Sequence, residues 1–302
     1  FGADRALLEK LSYGVYGVSI PRTHELGHVE GPSIWRLEFR ARPDRHVTVL
    51  EGEVFDGSAA FFEAITRAVP DPNNYSVLLF VHGYNTAFED AVRRTAQLTY
   101  DLDYPGVAIT YSWPSLGSSI AYARDESNVD WTTPHLQKFL TAVAVRQGVR
   151  TINIIAHSLG NRAVAKALHN MVLSGEDVRF TNVVLAAPDV DRDIFIQLAP
   201  AIAQGAETVT LYASDHDRAL NASKQINGYP RAGDCGNDIV VHPGIQTVDV
   251  SALDTDFMGH GYVAENTSVV SDLYWVLKGQ PPPRFRLRPA ISPSGPYWRF
   301  VP

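Results

Sequence analysis

The chain has 302 residues, a formal net charge of −7, 45% hydrophobic residues and 20% charged residues. That balance excludes a disordered or fibrous chain, and the negative excess argues against nucleic-acid binding, which needs clustered Lys and Arg. No apolar run approaches the ~18–20 residues that span a bilayer, and a single cysteine, Cys235, excludes an internal disulfide or a cysteine metal cluster. The sequence begins at Phe1 rather than Met, so a removed start is expected, and secreted, periplasmic and cytoplasmic locations all stay open.

Residues 1–33, rich in Gly, Pro and His, read as irregular. Strands are predicted at 34–41 and 46–55, where polar and apolar residues interleave, and a helix at 58–69 behind a serine cap. From residue 76 the pattern changes. Short continuous apolar runs at 76–81, 106–112, 149–156, 180–187, 207–213 and 245–251 read as strands buried on both faces. Helices are predicted at 87–102, 133–147, 159–173, 191–204 and 265–278. Strands alternating with helices mean βαβ units: an α/β fold with a mostly parallel central sheet flanked by helices, plus an N-terminal strand extension over 1–57. A single domain is expected. Two segments, 113–132 and 215–244, are too long for simple connections and are candidates for a lid or binding loop. The tail 280–302 holds seven prolines and is predicted to run extended over the surface.

Chemistry concentrates at Ala156-His157-Ser158-Leu159-Gly160, where a strand ends and a helix begins. This is the context of a nucleophile elbow, a turn so tight that the residues two before and two after the serine must be small. Ala156 and Gly160 meet that condition. A helix-capping serine is the alternative; the strand-to-helix junction in an alternating chain favours the nucleophile.

At this point a resemblance becomes specific. VSIPRTHELGH (18–28), FVHGYN (80–85), YSWPS (111–115), IIAHSLGN (154–161), YASDHDRAL (212–220) and GHGYV (259–263) resemble the α/β-hydrolases, in particular the bacterial branch catalogued as domain of unknown function 900. The resemblance implies the α/β-hydrolase fold and a serine hydrolase site, and leaves the substrate open.

An acyl-transfer site needs two backbone N–H donors for the oxyanion. One comes from the residue after the nucleophile, Leu159; the resemblance assigns the other to Tyr84, in the loop after strand 76–81. Serine needs a histidine base and an orienting carboxylate, in the chain order Ser, Asp or Glu, His. His260 follows the last strand between two glycines, whereas His242 precedes that strand and should emerge at the wrong sheet edge. Asp217 best resembles the family's acid loop, with Asp215 and Asp189 as competitors. His82, Trp113, Tyr122 and His157, beside these loops, are candidates for the substrate pocket. No cofactor or metal is expected.

His24-Glu25-Leu26-Gly27-His28 matches the H-E-x-x-H zinc-protease pattern letter for letter. That chemistry requires a helix, and Pro21, Gly27 and Gly31-Pro32 leave room only for a loop or short turn. The expected activity is hydrolysis of a small-molecule carboxylic ester through an acyl-serine. An acyltransferase or amidase with the same triad, and a non-catalytic binding module of the same fold, are the alternatives. The oligomeric state is open.

Overall fold

The computed structural model describes residues 2–5, 10–32, 38, 40–117, 122–253, 266–284 and 286–301. The predicted strand 34–41 falls largely outside these residues, and His260 lies outside them altogether.

An antiparallel pair comes first: β1 (Tyr13–Ser19) and β2 (Thr48–Phe55), a two-stranded sheet of its own. β1 corrects the irregular reading of 1–33. Its Tyr-Gly-Val-Tyr-Gly-Val run hides the usual alternation because glycines occupy polar positions. Glycine also serves the pairing: Tyr16 lies opposite Gly52, where a Cβ would stand 2.3 Å from the Tyr16 ring. Helix α1 (Ser58–Ala68) follows.

The main sheet has eight strands in the order β4-β3-β5-β6-β7-β8-β10-β9. Its members are β3 (Tyr75–Val81), β4 (Val107–Tyr111), β5 (Val149–His157), β6 (Phe180–Ala186), β7 (Ala206–Ala213), β8 (Ile245–Asp249), β9 (Leu287–Ser292) and β10 (Gly295–Phe300). Strands β3 to β8 are mutually parallel. Their helical crossovers are α2 (Phe88–Asp101), α3 (Tyr122–Ala144), α4 (Gly160–Leu173) and α5 (Arg192–Gln204), followed by α6 (Arg218–Asn227) and α7 (Thr267–Leu277).

Chain direction explains where the site falls. From β3 the chain steps outward to β4, then returns across β3 to β5 and proceeds the other way. Right-handed crossovers therefore put α2 on one face and α3, α4 and α5 on the other. The two cores agree: Phe139, Leu168 and Phe195 pack in one, Leu98, Leu220 and Leu273 in the other. Where the order reverses, between β3 and β5, the loops leaving their carboxyl ends diverge and leave a crevice for a ligand. The β3 end carries His82-Gly83, and the β5 end carries Ser158.

Three expectations need correction. The segment 113–132 is not a long loop, because α3 begins at Tyr122 and continues through Pro134. Its inner face carries Asp125, Asn128, Thr132 and Thr133 around Val129, so its first half lacks a continuous apolar stripe. The segment 215–244 is not an open loop either. It holds α6 and a short 3₁₀ turn, with Arg231, Ala232, Asp234 and Cys235 all buried. The tail 280–302 forms the β9–β10 hairpin, whose second strand pairs parallel with β8. Pro289 fits because β9 is the edge strand. Among the described residues no helix is long and apolar enough to cross a membrane.

Candidate active site

Ser158 sits at the turn between β5 and α4 with φ +51°, 1% exposed. A left-handed non-glycine residue costs about 1–2 kcal/mol and persists only when its surroundings hold it. Here the hold is visible. The Ser158 carbonyl accepts from the Asn161 N–H (3.1 Å), the Asn161 side-chain amide (2.9 Å) and the Asp189 N–H (3.2 Å). The same Asn161 amide donates to the Ala186 carbonyl at 3.0 Å, tying the elbow to the end of β6. Gly160 lies so close to the β3 end that a Cβ there would be 2.4 Å from the His82 carbonyl oxygen. Smallness at this position is what lets the elbow close.

The facing loop is equally tight. A Cβ on Gly83 would stand 2.6 Å from the Ser158 Cβ and 2.9 Å from His157 Nδ1. Tyr84 follows, and Asn85, at φ +55°, turns the chain toward α2. Asparagine tolerates that conformation better than most residues. Leu159, the first residue past the serine, is helical and fully buried at the N-terminus of α4. Ser158, Leu159, Gly83 and Tyr84 thus come together at the crevice, with the positive end of the α4 dipole behind them.

His82 and Trp113 form a buried support, and His82 also lines a cavity of about 340 Å³ next to Gly83. Their rings stack at 4.9 Å and 11°, and the Trp113 indole N–H donates to the His82 carbonyl at 2.7 Å. The Trp113 backbone N–H donates to His82 Nε2 at 3.1 Å, so the proton is on Nδ1, which donates to the Gly83 carbonyl at 2.9 Å. Burial pulls the His82 pKa down to about 4, so the ring stays neutral. The Tyr122 hydroxyl donates to Asp189 Oδ2 at 2.8 Å, and its ring meets the Tyr84 ring edge-on at 5.3 Å. His157 lines a cavity of about 340 Å³ beside the serine.

The three candidate acids fall into different environments. Asp189 is locked in a buried ion pair with Arg231 (2.7 Å) and also accepts from the Ser223 hydroxyl (2.6 Å). Asp215 is half exposed beside His216, where water competes for its oxygens. Asp217 is 1% exposed past the carboxyl end of β7, on the edge that carries Ser158. Its Oδ1 caps α6 by accepting from the Ala219 and Leu220 N–H groups, so one oxygen fixes the side chain. His242 lies just before β8, at the opposite edge from Ser158.

A family model described as alpha/beta hydrolase of unknown function (DUF900) matches residues 58–277. The chain belongs to this family. No curated protein matches it. Among solved structures, the DUF900 chain is similar to a Pyrobaculum calidifontis esterase (14% identity, 68% of this chain and 77% of that one, TM-score 0.37). It is also similar to Est1E from Butyrivibrio proteoclasticus (12% identity, 70% and 91%, TM-score 0.40). A third is the Pyrococcus furiosus esterase Pf2001 (11% identity, 68% and 83%, TM-score 0.37).

The H-E-x-x-H match in this DUF900 hydrolase has no helix beneath it. His24 N–H bonds to the Pro21 carbonyl and His28 N–H to the Glu25 carbonyl, which makes two successive tight turns. The His24 ring lies between Glu30 (2.9 Å) and Asp101 (2.7 Å), while His28 is exposed.

Two residues that support the site escape a reading of the sequence. Asp125, fully buried in the first turn of α3, accepts from the Ser115 hydroxyl (2.6 Å) and the Leu116 N–H (3.1 Å). It anchors the chain leaving β4 beside the Tyr84 loop. Asn161, the clamp on the elbow, belongs to the IIAHSLGN motif, yet only the folded contacts reveal what its amide does.

Proposed function

We propose that this hydrolase cleaves carboxylic esters through an acyl-serine intermediate, using Ser158, His260 and Asp217. The observation that carries the reading is the strained Ser158 elbow held against the Gly83–Tyr84 loop. Strain of this kind persists only where the surroundings over-determine it, and at a strand-to-helix turn facing a second donor loop it is the strain a nucleophile elbow requires.

In the first half-reaction Ser158 Oγ attacks the carbonyl carbon and His260 takes its proton. The oxygen that gains charge is held by the Tyr84 and Leu159 N–H groups, donors that need no reorganisation as charge develops. The ester C–O bond breaks, and the leaving alcohol receives the proton from His260. Water then attacks the acyl carbon, giving a proton to His260, and the tetrahedral species collapses to free acid as the Oγ–carbon bond breaks and His260 returns that proton to Ser158 Oγ. Asp217 orients His260 and stabilises its cationic form. His260 is assigned by chain order and resemblance, Asp217 by these together with its burial at the right edge.

Hydrolysis of para-nitrophenyl esters from acetate to palmitate, by wild type and Ser158→Ala side by side, tests the reading. Activity in wild type with a loss of about 10³-fold or more in the variant supports it. Equal activity in the two removes Ser158 from the mechanism. If neither is active, labelling by a fluorophosphonate separates a selective hydrolase, which reacts at Ser158, from a binding module, which does not.

A further inference from the structure

The turn that carries Tyr84 is gripped by the chain leaving β4. Trp113 holds the start of the turn through its two hydrogen bonds to His82. Ser115 holds the end, where the Thr86 N–H donates to the Ser115 hydroxyl oxygen at 3.3 Å. Ser115 is itself oriented by the fully buried Asp125, whose Oδ2 accepts from the Ser115 hydroxyl at 2.6 Å. The same Oδ2 takes the Asn85 N–H in a long contact of 3.5 Å, and Oδ1 accepts from the Leu116 N–H at 3.1 Å. One carboxylate therefore fixes both the turn and the chain that braces it.

A peptide unit is planar and trans, so fixing its carbonyl or its N–H fixes the direction of the other. The 84–85 unit is held at both ends: the Tyr84 carbonyl accepts from the Thr86 hydroxyl at 3.2 Å, and the Asn85 N–H meets Asp125. The 83–84 unit is held at its carbonyl by His82 Nδ1–H, which turns the Tyr84 N–H away from that ring. The Asn85 and Thr86 N–H groups are thus committed to Asp125 and Ser115. Among the described residues the Tyr84 and Leu159 N–H groups make no hydrogen bond. The turn needs its hold, because Asn85 at φ +55° stays left-handed only where the surroundings over-determine it. A buried carboxylate is also costly, and its charge near the turn opposes a second negative charge. What Asp125 can offer an oxyanion is geometry.

We infer that Asp125 is a positioning residue for ester hydrolysis: acting on Asn85 directly and on Thr86 through the Ser115 hydroxyl, it sets the turn that presents the Tyr84 N–H to the oxyanion. The inference rests on the serine-esterase reading of the same site. Without the hold, Asn85 relaxes toward an ordinary φ, the 84–85 unit rotates, and the Tyr84 N–H is carried off its target. The loss falls on the transition state and its tetrahedral mimics, and leaves ground-state binding of the ester nearly unchanged.

The test compares wild type, Ser158→Ala, Asp125→Asn and Ser115→Ala. Asn keeps the size of Asp125 and an acceptor for Leu116, but sets an NH2 group where Oδ2 receives the Asn85 N–H. Two quantities are read: kcat and KM for para-nitrophenyl butyrate, and the calorimetric Kd of butyl trifluoromethyl ketone. The ketone carbon bonds Ser158 Oγ, the serine proton passes to His260, and the carbonyl electron pair becomes an oxyanion in the hole. Asp125→Asn should lower kcat about 10²-fold, change KM less than about threefold and raise the ketone Kd about 10²-fold. Ser115→Ala, which keeps the carboxylate, should move both in the same direction by about tenfold, and it decides alone if Asp125→Asn does not fold. A merely structural role would lower the urea midpoint and leave kcat and the ketone Kd of the folded variants at wild-type values, and that result overturns the inference. If the ketone binds wild type through Ser158 although no ester is cleaved, weaker ketone binding by the variants still supports the positioning role. Ketone binding equal in wild type and Ser158→Ala overturns the esterase reading and the inference with it.

Discussion

At the scale of single residues, Gly160 decides how closely the elbow approaches the oxyanion loop. A methyl group there would meet the His82 and Val81 carbonyl oxygens at 2.4 and 2.9 Å, and backbone cannot rotate away as a side chain can. Gly160→Ala is expected to cost about 1–3 kcal/mol in urea unfolding and to lower ester turnover by pushing Ser158 from the Tyr84 loop. Unchanged turnover in a folded variant would mean that the elbow–loop contact does not set the oxyanion geometry. The acid candidates separate on the same principle of surroundings. Asp217→Asn keeps an N-cap, since Asn caps as well as Asp, so stability should change by less than about 1 kcal/mol. Turnover should fall by about 10⁴-fold, because an amide supports the wrong histidine tautomer. Asp189→Asn instead leaves the buried Arg231 charge without its counterion and should cost about 3–5 kcal/mol. The opposite outcome, a stable but inactive Asp189→Asn, would move the acid role to Asp189. Ser158 is legible in the sequence because an elbow is local: five residues and a strand-to-helix junction define it. Asp125 is not, because its partners Ser115 and Leu116 meet it only once α3 has folded back on the loop.

At the scale of elements, buried strands are legible and mixed surfaces are not. β3 and β7 appear within a residue of their predicted bounds because both faces are covered, burying Val77 to Val81 and Val209 to Ala213 in unbroken, mostly apolar runs. The first half of α3 is hidden because its buried face is polar and saturated by tertiary partners; Asn128, for example, donates to the Pro114 carbonyl at 2.6 Å. His24 shows the same dependence on context. It joins the turns at 21–28 to α2 by bonding Glu30 on its own segment and Asp101 on the helix, with the Tyr100 ring edge-on at 5.3 Å. Burial alone would lower its pKa, but the hydrogen bonds to the two carboxylates outweigh burial and raise it above 6.5. A neutral imidazole must accept at one nitrogen, and neither carboxylate has a proton to give. The raised folded pKa means that the clamp stabilises fully below the unfolded value and is lost as pH rises through the folded one. Urea midpoints of wild type and His24→Gln should therefore differ most near about pH 6 and converge toward about pH 9. A difference that persists at the alkaline end would show that the ring acts by packing and not by charge.

At the scale of the whole molecule, the parallel order can be read from alternating runs, but the closure of the sheet cannot. Pro289 and Pro296 disguise β9 and β10 as an extended tail, and the parallel pairing of β10 with β8 joins residues fifty positions apart, Trp298 with Val248. That pairing covers the edge of β8, the strand whose end leads toward His260. A buried ion pair adds to this pairing in fastening the start of the tail to the body. Arg284 Nε and Nη2 reach Asp272 Oδ1 and Oδ2 at 2.6 and 3.0 Å, and the Tyr212 hydroxyl donates to the same carboxylate at 2.5 Å. Three parts of the fold meet there: β7, α7 and the start of the tail. Both charged side chains are about 2% exposed or less, so the pair has already lost its water and depends on each partner being present. Asp272→Ala removes one partner and strands the guanidinium, at an expected cost of about 3–5 kcal/mol. Replacing the pair together by Asp272→Leu and Arg284→Met removes the unpaired charge as well, and should recover most of that loss. The double variant also removes the carboxylate that the Tyr212 hydroxyl donates to and the donor of the Gln246 Oε1 and Gln280 carbonyl bonds, at about 1–3 kcal/mol each where the group stays unsatisfied. Urea unfolding of the single and double variants measures both quantities. If the double variant is no more stable than Asp272→Ala, the ion pair itself holds the tail, and apolar packing cannot replace it.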